Sequence, residues 1–155
     1  MNERYTPSSD FLQAVVNEEV PFDHRDFGEK NLMQLMAMTR DPDVANRDWA
    51  TLLLSQLELN RPDVREALIH AASDESSEVR AEAILGLAQL DRSVALPLLR
   101  RELQGELVNM PLLEAAIIVA DASLIDDLKA FAAPSANKML DQMVADAITA
   151  CCSTS

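Results

Sequence analysis

The chain has 155 residues, of which 48% are hydrophobic but only 4% are aromatic, and it contains three glycines. Its 26 acidic residues outnumber its 13 lysines and arginines, so the formal net charge is -13. This excess argues against nucleic-acid binding, which depends on basic side chains that neutralise phosphates. The composition is typical of helices rather than sheets, and the length predicts a single domain over residues 1–155.

Helices separated by short turns are predicted along the whole chain. A first helix near residues 9–17 and a turn-rich connector form an N-terminal cap over residues 1–28, and repeats follow over 29–150. Capping residues or prolines mark several helix starts, among them Asp43 and Pro62. The predicted helices after the cap cover residues 29–39, 44–58, 62–73, 77–91, 93–105, 110–121, 123–132 and 136–151. Loops this short leave room only for antiparallel neighbours.

An internal repeat organises the middle of the chain. Residues 41–57 align with residues 74–90 at a spacing of 33. The identical pairs include Asp41 and Asp74, Arg47 and Arg80, Ala50 and Ala83, Leu54 and Leu87, and Leu57 and Leu90. A repeat of this period indicates stacked helix pairs. A weaker third copy is predicted at a spacing of 29, with Val108 and Asn109 at the position of Val79 and Arg80.

The repeated pattern resembles the HEAT repeat, in which an acid in the turn precedes Val-Arg and then alanine and leucine positions. In the second copy Asp74 precedes Val79 and Arg80, and Ala83 follows. The resemblance implies an all-α fold, a right-handed alpha-alpha superhelix of about four helix pairs with an N-terminal capping helix. Short units of this kind are similar to the HEAT repeats of bilin lyases. Ankyrin and tetratricopeptide repeats fit less well because their landmark residues are missing.

The repeated acids and arginines are predicted to be structural. Asp41 and Asp74 lie in turns, where a carboxylate accepts from backbone N–H groups and from the arginine of its own or the next repeat. Arg47 and Arg80 would then join successive repeats in a ladder, since networked charges in repeat proteins are usually architectural. Ligand binding by these charges is the alternative interpretation.

Positions that the repeat pattern does not constrain are predicted to bind a partner. In HEAT solenoids the Val-Arg helix lines the concave side, so the resemblance implies a binding groove there. Spacings of three and four residues place the unconstrained positions on one side of each helix. The predicted partner-binding residues are Asp48, Trp49, Leu52, Gln56, Glu82, Leu85, Gln89 and Glu114.

Trp49 is the sole tryptophan, and it stands where the second repeat has Glu82. An exposed tryptophan is typical of binding hot spots, and here it would form an apolar centre with Leu52 and Leu85. Packing of Trp49 against the N-terminal helix is the alternative, because terminal repeats need caps. On the binding interpretation, Trp49→Ala and Glu82→Arg abolish partner capture and leave the helical circular dichroism unchanged.

Catalysis, cofactor binding and membrane insertion have little support in the sequence. It contains no Gly-rich phosphate loop, no Cys-x-x-Cys and no His-Glu pair, so His24 and His70 are interpreted as hydrogen-bonding or packing residues. The longest apolar run, 115–120, is far shorter than the roughly 20 residues of a membrane-spanning helix. Cys151 and Cys152 have no further ligands nearby in sequence. Without a secretory leader, we expect a cytoplasmic protein with no cofactor.

Two classes of function are predicted. The first is a non-catalytic adaptor, scaffold or inhibitor that captures another protein, expected to be basic, through an acidic concave face with an apolar centre. One version of it is an immunity protein that neutralises a basic toxin. The second is a bilin-lyase-like or ligand-carrying module, whose apolar groove would hold a tetrapyrrole beside Trp49.

Overall fold

A computed structural model describes residues 7–22 and 26–153, and of residues 26 and 27 it describes only the backbone. The regular secondary structure in these ranges is entirely helical, which confirms the all-α prediction. The helices are α1 Asp10–Val16, α2 Asp26–Met38, α3 Val44–Gln56, α4 Pro62–Ala71, α5 Ser77–Leu90, α6 Arg92–Leu103, α7 Met110–Val119, α8 Ile125–Lys129 and α9 Lys138–Cys152. A 3₁₀ turn at Ala122–Leu124 precedes α8.

Helix starts follow the capping chemistry of the sequence. Asp43 accepts from the backbone N–H of Ala45 at 2.9 Å and so begins α3. Asn109 accepts from the backbone N–H of Leu112 at 3.1 Å and begins α7. Pro62 stands in the first turn of α4, where a backbone N–H is not needed. These caps satisfy donors that the first turn of a helix leaves without partners.

Three helices begin at the same position of successive repeats. α3 begins at Val44, α5 at Ser77 and α7 at Met110, each 33 residues after the one before. The predicted spacing of 29 for the third copy is therefore wrong, because the cap at Asn109 fixes where α7 begins. In the corrected register, one position of the repeat holds three fully buried alanines, Ala50, Ala83 and Ala116.

The chain divides into two compact units, residues 1–83 and 84–155. In the first unit α3 packs against α1, α2 and α4, and in the second α7 packs against α6 and α9. Leucines fill both interiors because these helices bury one apolar side each. The fully buried leucines include Leu12, Leu35, Leu54 and Leu68 in the first unit, and Leu99, Leu113, Leu124 and Leu128 in the second.

The N-terminal helix is attached to the first repeat through Asn46, which stands where the second repeat has Val79. The Asn46 Oδ1 accepts from the backbone N–H of Ser9 at 3.2 Å, and its Nδ2 donates to Asp41 Oδ2 at 3.0 Å. The side chain is buried. The departure from the repeat pattern therefore has a structural reason, since an amide at this position satisfies the start of α1.

We expect Asn46→Val, which restores the valine of the repeat pattern, to lower the free energy of unfolding by about 1–2 kcal/mol. The backbone N–H of Ser9 and the carboxylate of Asp41 both lose a partner, and this loss exceeds the gain from an apolar side chain. Urea unfolding followed by circular dichroism measures the difference. An unchanged or raised stability would show that these hydrogen bonds do not hold α1 in place.

Candidate functional site

An arginine and an aspartate of the predicted ladder form a close ion pair between the first two repeat turns. Arg47 Nε donates to Asp74 Oδ2 at 2.9 Å, and its Nη2 donates to Asp74 Oδ1 at 3.3 Å. Its Nη1 donates to the backbone carbonyls of Asp41 at 3.0 Å and Pro42 at 3.2 Å. The side chains of Arg47 and Asp74 are 11% and 12% exposed. Arg47 therefore joins its own turn to the turn of the next repeat.

The second arginine repeats part of this arrangement. Arg80 Nη1 donates to the backbone carbonyls of Asp74 at 2.9 Å and Glu75 at 3.2 Å, which lie in its own turn. In the 33-residue register the next acid position holds Leu107 and the next arginine position holds Leu113. The charge pattern of the ladder thus ends with the second repeat.

Two predicted partner-binding residues, Asp48 and Trp49, lie inside the first unit. They are 8% and 6% exposed, because helices pack against α3 on several sides. The prediction that Trp49 is an exposed hot spot is therefore wrong, and neither residue is available to a partner on this surface. The exposure of Trp49 was inferred from the second repeat, where the equivalent residue, Glu82, is only half-buried.

The six other predicted positions keep some exposure. Leu52, Glu82 and Leu85 are half-buried, and Gln56, Gln89 and Glu114 are exposed. The equivalent leucines of the two repeats have the same exposure class, and so do the equivalent glutamines. On the first unit α3 and α5 lie side by side, since Ser55 Oγ donates to the backbone carbonyl of Glu82 at 3.0 Å.

The corrected register changes the place of Glu114. It aligns with Ala81 rather than with Leu85, and the residue that aligns with Leu85 is Ile118, one helical turn further along α7. Ile118 is half-buried, as Leu85 is, and Glu114 is exposed. Residues four apart share a side of a helix, so Glu114 and Ile118 lie on one side of α7.

Both cysteines are free thiols at the end of α9. Burial raises the pKa of the Cys151 thiol, whose Sγ lies 3.9 Å from the carbonyl oxygen of Ala116, while Cys152 is exposed. His70 is exposed on α4, and His24 lies outside the described residues. Within residues 7–22 and 26–153, no group of three or more His, Cys, Asp and Glu is placed to hold a metal. No helix in the same ranges is long and apolar enough to cross a membrane.

A cavity of about 220 Å³ in the second unit was not predicted. It opens between the turn before α7, the segment after α8 and the first turns of α9. Its larger apolar lining residues are Leu107, Val108, Phe131, Leu140 and Val144, and the carboxylates of Glu106 and Asp141 also line it. The one signal in the sequence is Leu107 at the acid position of the repeat, which appears only in the 33-residue register.

Ser135 at the edge of this cavity holds Asp141 in its ionised form. Its backbone N–H and its Oγ donate to the carboxylate at 2.8 Å and 2.7 Å. These hydrogen bonds, first that of the hydroxyl, lower the pKa of Asp141. A carboxylate with a lowered pKa stays ionised at neutral pH, so Asp141 carries a negative charge beside the cavity under those conditions.

We expect Ser135→Ala to raise the pKa of Asp141 toward the ordinary value of an aspartate, as followed by carbon NMR during a pH titration. A lowered folded-state pKa adds stability above the unfolded-state pKa, and that stability is lost as the pH falls through the folded-state pKa. The stability difference between wild type and variant should therefore be present at neutral pH and shrink below about pH 4. An unchanged pKa would show that the hydroxyl does not stabilise the charge.

Comparisons with known proteins agree with this architecture. The sequence pattern of the family described as HEAT repeats matches residues 32–109. Two curated proteins, Protein YibA of Escherichia coli strain K12 and of Escherichia coli O157:H7, are each 30% identical over 91 residues, or 59% of this chain. This chain spans only 32% of their length. The X-ray structure of Escherichia coli YibA matches over 97% of this chain and 56% of its own, with a TM-score of 0.62 and 22% identity, which is a likeness of fold.

Proposed function

This chain belongs to the HEAT-repeat family, and from that premise we propose that it is a non-catalytic module that binds a basic partner protein. HEAT repeats are typically protein-interaction modules and are generally not enzymes. The proposal covers an adaptor, a scaffold or an inhibitor, and an immunity protein against a basic toxin is one form of the last. It includes a cytoplasmic location, which two cysteines without a disulfide suit.

The proposed binding residues, which we call the repeat face, are Leu52, Gln56 and Glu82 in the first unit and Leu85, Gln89 and Glu114 in the second. The observation that carries the proposal is that Leu52 and Leu85, 33 residues apart, are both half-buried rather than buried. Packing of the interior alone would favour full burial of leucine. In each repeat the half-buried leucine lies one helical turn from an exposed glutamine, Gln56 or Gln89, and this combination of apolar and polar surface is typical of protein interfaces.

Charge supports a basic partner. The net charge of -13 gives the protein a negative field that would speed encounter with a positively charged protein and disfavour acidic ones. On the repeat face the exposed carboxylate of Glu114 and the half-buried Glu82 have the same sign. Such steering depends on salt, because mobile ions screen exposed charges over about 8–10 Å at physiological ionic strength.

The ligand-carrying alternative is less well supported than protein binding. It needs a deep apolar groove beside Trp49, but Trp49 is buried. The cavity of about 220 Å³ lies elsewhere, among residues 106–144, and is smaller than the roughly 300–1,000 Å³ of typical small-molecule sites. These observations favour a protein as the bound molecule.

We expect Glu114→Arg to reduce partner capture by about tenfold at low salt, because it places a like charge opposite a basic surface. The measurement is quantitative mass spectrometry of proteins captured from native lysate on immobilised wild type and variant. Glu66→Arg is the matched control, since Glu66 is an exposed glutamate on α4, a helix that holds no residue of the repeat face. An acidic partner, an equal loss in both variants, or capture that is unaffected by salt would contradict the proposal.

A further inference from the structure

The turn before α7 differs from the two earlier repeat turns at its acid position. Asp41 and Asp74 each accept a backbone N–H two residues further on, from Asp43 at 3.0 Å and from Ser76 at 2.9 Å. Leu107 stands at this position in the third turn and has no side-chain acceptor. It is 86% exposed, more than any other large apolar side chain among the described residues. The leucine therefore contributes neither a turn hydrogen bond nor interior packing.

Leu107 forms part of the wall of the apolar cavity in the second unit. Val108 from the same turn, Phe131 after α8 and Val144 from α9 line it as well. The volume of about 220 Å³ is below the range of typical small-molecule sites, which begins near 300 Å³. It is suited to a single large apolar side chain, the kind of anchor that fills a pocket at the centre of a protein interface.

The charged groups of the cavity identify the kind of segment that would carry this side chain. Glu106 and Asp141 line it, and both are acidic. Asp141 is fixed by two hydrogen bonds from Ser135, so its carboxylate does not turn away from the cavity edge. An apolar side chain with lysine or arginine beside it complements both the walls and the carboxylates.

We propose that this cavity is an anchor site for a basic segment of the partner protein, which inserts one leucine, methionine or phenylalanine side chain. A neighbouring lysine or arginine of that segment contacts Glu106 and Asp141. The inference rests on the proposed function in one respect, that the partner is a basic protein. It adds a docking site lined by residues that are not part of the repeat face, and it names the chemistry of the segment that binds there.

The test uses short synthetic peptides and the full chain labelled with nitrogen-15, observed by NMR. The first peptide has one leucine among lysines, the second has serine in place of the leucine, and the third has glutamates in place of the lysines. We expect the first to shift the amide signals of residues 106–108, 130–133, 135 and 140–144. It should also bind about tenfold more tightly than either control, since both burial and charge contribute.

Leu107→Ser should weaken the first peptide by about tenfold, because it removes apolar wall without adding a charge that would attract the lysines. Ala133→Phe, at an exposed lining residue, should weaken it similarly by filling the cavity. Met33→Ser is the matched control, since Met33 is exposed on α2 outside the cavity, and it should change affinity less than twofold.

Three results would overturn the inference. They are equal binding of the leucine and serine peptides, shifts outside the cavity segments, and equal affinity for neutral acetyl-leucine amide, which would make the site one for small molecules. Loss of peptide binding in Glu114→Arg but not in Leu107→Ser would place the peptide on the repeat face. The cavity inference would then fail while the proposed function stands.

Discussion

Replacing Trp49 with alanine is expected to lower the free energy of unfolding by about 3–5 kcal/mol, the range for truncating a buried aromatic side chain. Trp49 is 6% exposed, and its helix α3 packs against α1, α2 and α4. The cavity left by an indole is too large for these neighbours to close without moving. A loss of this size is a large part of the roughly 5–15 kcal/mol that stabilises a typical domain.

Urea unfolding followed by circular dichroism measures this effect. Gln56→Ala, on the exposed end of the same helix, is the control and should change stability by less than about 0.5 kcal/mol. This expected loss of stability differs from the expectation from sequence, in which Trp49→Ala affects partner capture and leaves the helical circular dichroism unchanged. An unfolding midpoint equal to that of wild type would mean that Trp49 contributes little to the interior.

The second large effect is expected for Asp74→Ala, which should destabilise the protein by about 3 kcal/mol. The guanidinium of Arg47 is 11% exposed and would lose both bonds to the carboxylate. The backbone carbonyls of Asp41 and Pro42 remain as acceptors, so we expect the lower end of the range for breaking a buried ion pair.

A double-mutant cycle with Arg47→Ala isolates this pair. If the ion pair joins the two repeat turns, the double variant should be much less destabilised than the sum of the single variants, because the removal of both partners leaves no unpaired charge. Arg40→Ala, at an exposed arginine after α2, serves as a control for the loss of a positive charge. Additivity within about 0.5 kcal/mol would contradict the ladder interpretation.

Much of the fold was predictable because helix boundaries depend on local chemistry. The predicted ranges 44–58, 62–73 and 77–91 each begin at the residue where the helix begins. Asp43 marks the first of these starts and Pro62 the second, within a few residues of sequence. The range 123–132 was less well predicted. The chain there forms a 3₁₀ turn and the short helix α8, since Asp121 accepts from the backbone N–H of Ser123 and tightens the turn.

The candidate site was harder to predict because burial depends on neighbours that the repeat pattern does not include. Trp49 occupies a position that is half-buried in the second repeat, yet the first repeat lies beside α1 and the position becomes interior. Asn46 departs from the pattern for the same reason, since it receives a hydrogen bond from Ser9. In both cases the residue differs from the repeat pattern because a terminal repeat packs against a capping helix, as an internal repeat does not.

The register of the third repeat and the presence of the cavity were not predicted from the sequence, for related reasons. The first two copies are recognised by an acid and an arginine. In the third copy, at the spacing of 33, these positions hold Leu107 and Leu113, so the charge pattern is missing there. The cavity is lined by three separate segments, 106–108, 130–135 and 140–144, and the first of them lies well before the other two. No local motif marks a site assembled in that way.

The central claim is that the repeat face binds a basic protein, and site-specific photocrosslinking tests it most directly. p-Benzoylphenylalanine is placed either at position 89, on α5 of the repeat face, or at position 66, on α4, and the protein is irradiated in native lysate at low salt. Both positions are exposed. We predict a crosslink to a basic protein from position 89 that high salt removes, and none to that protein from position 66. Crosslinks to the same partner only from position 66, or an acidic partner at position 89, would contradict the claim.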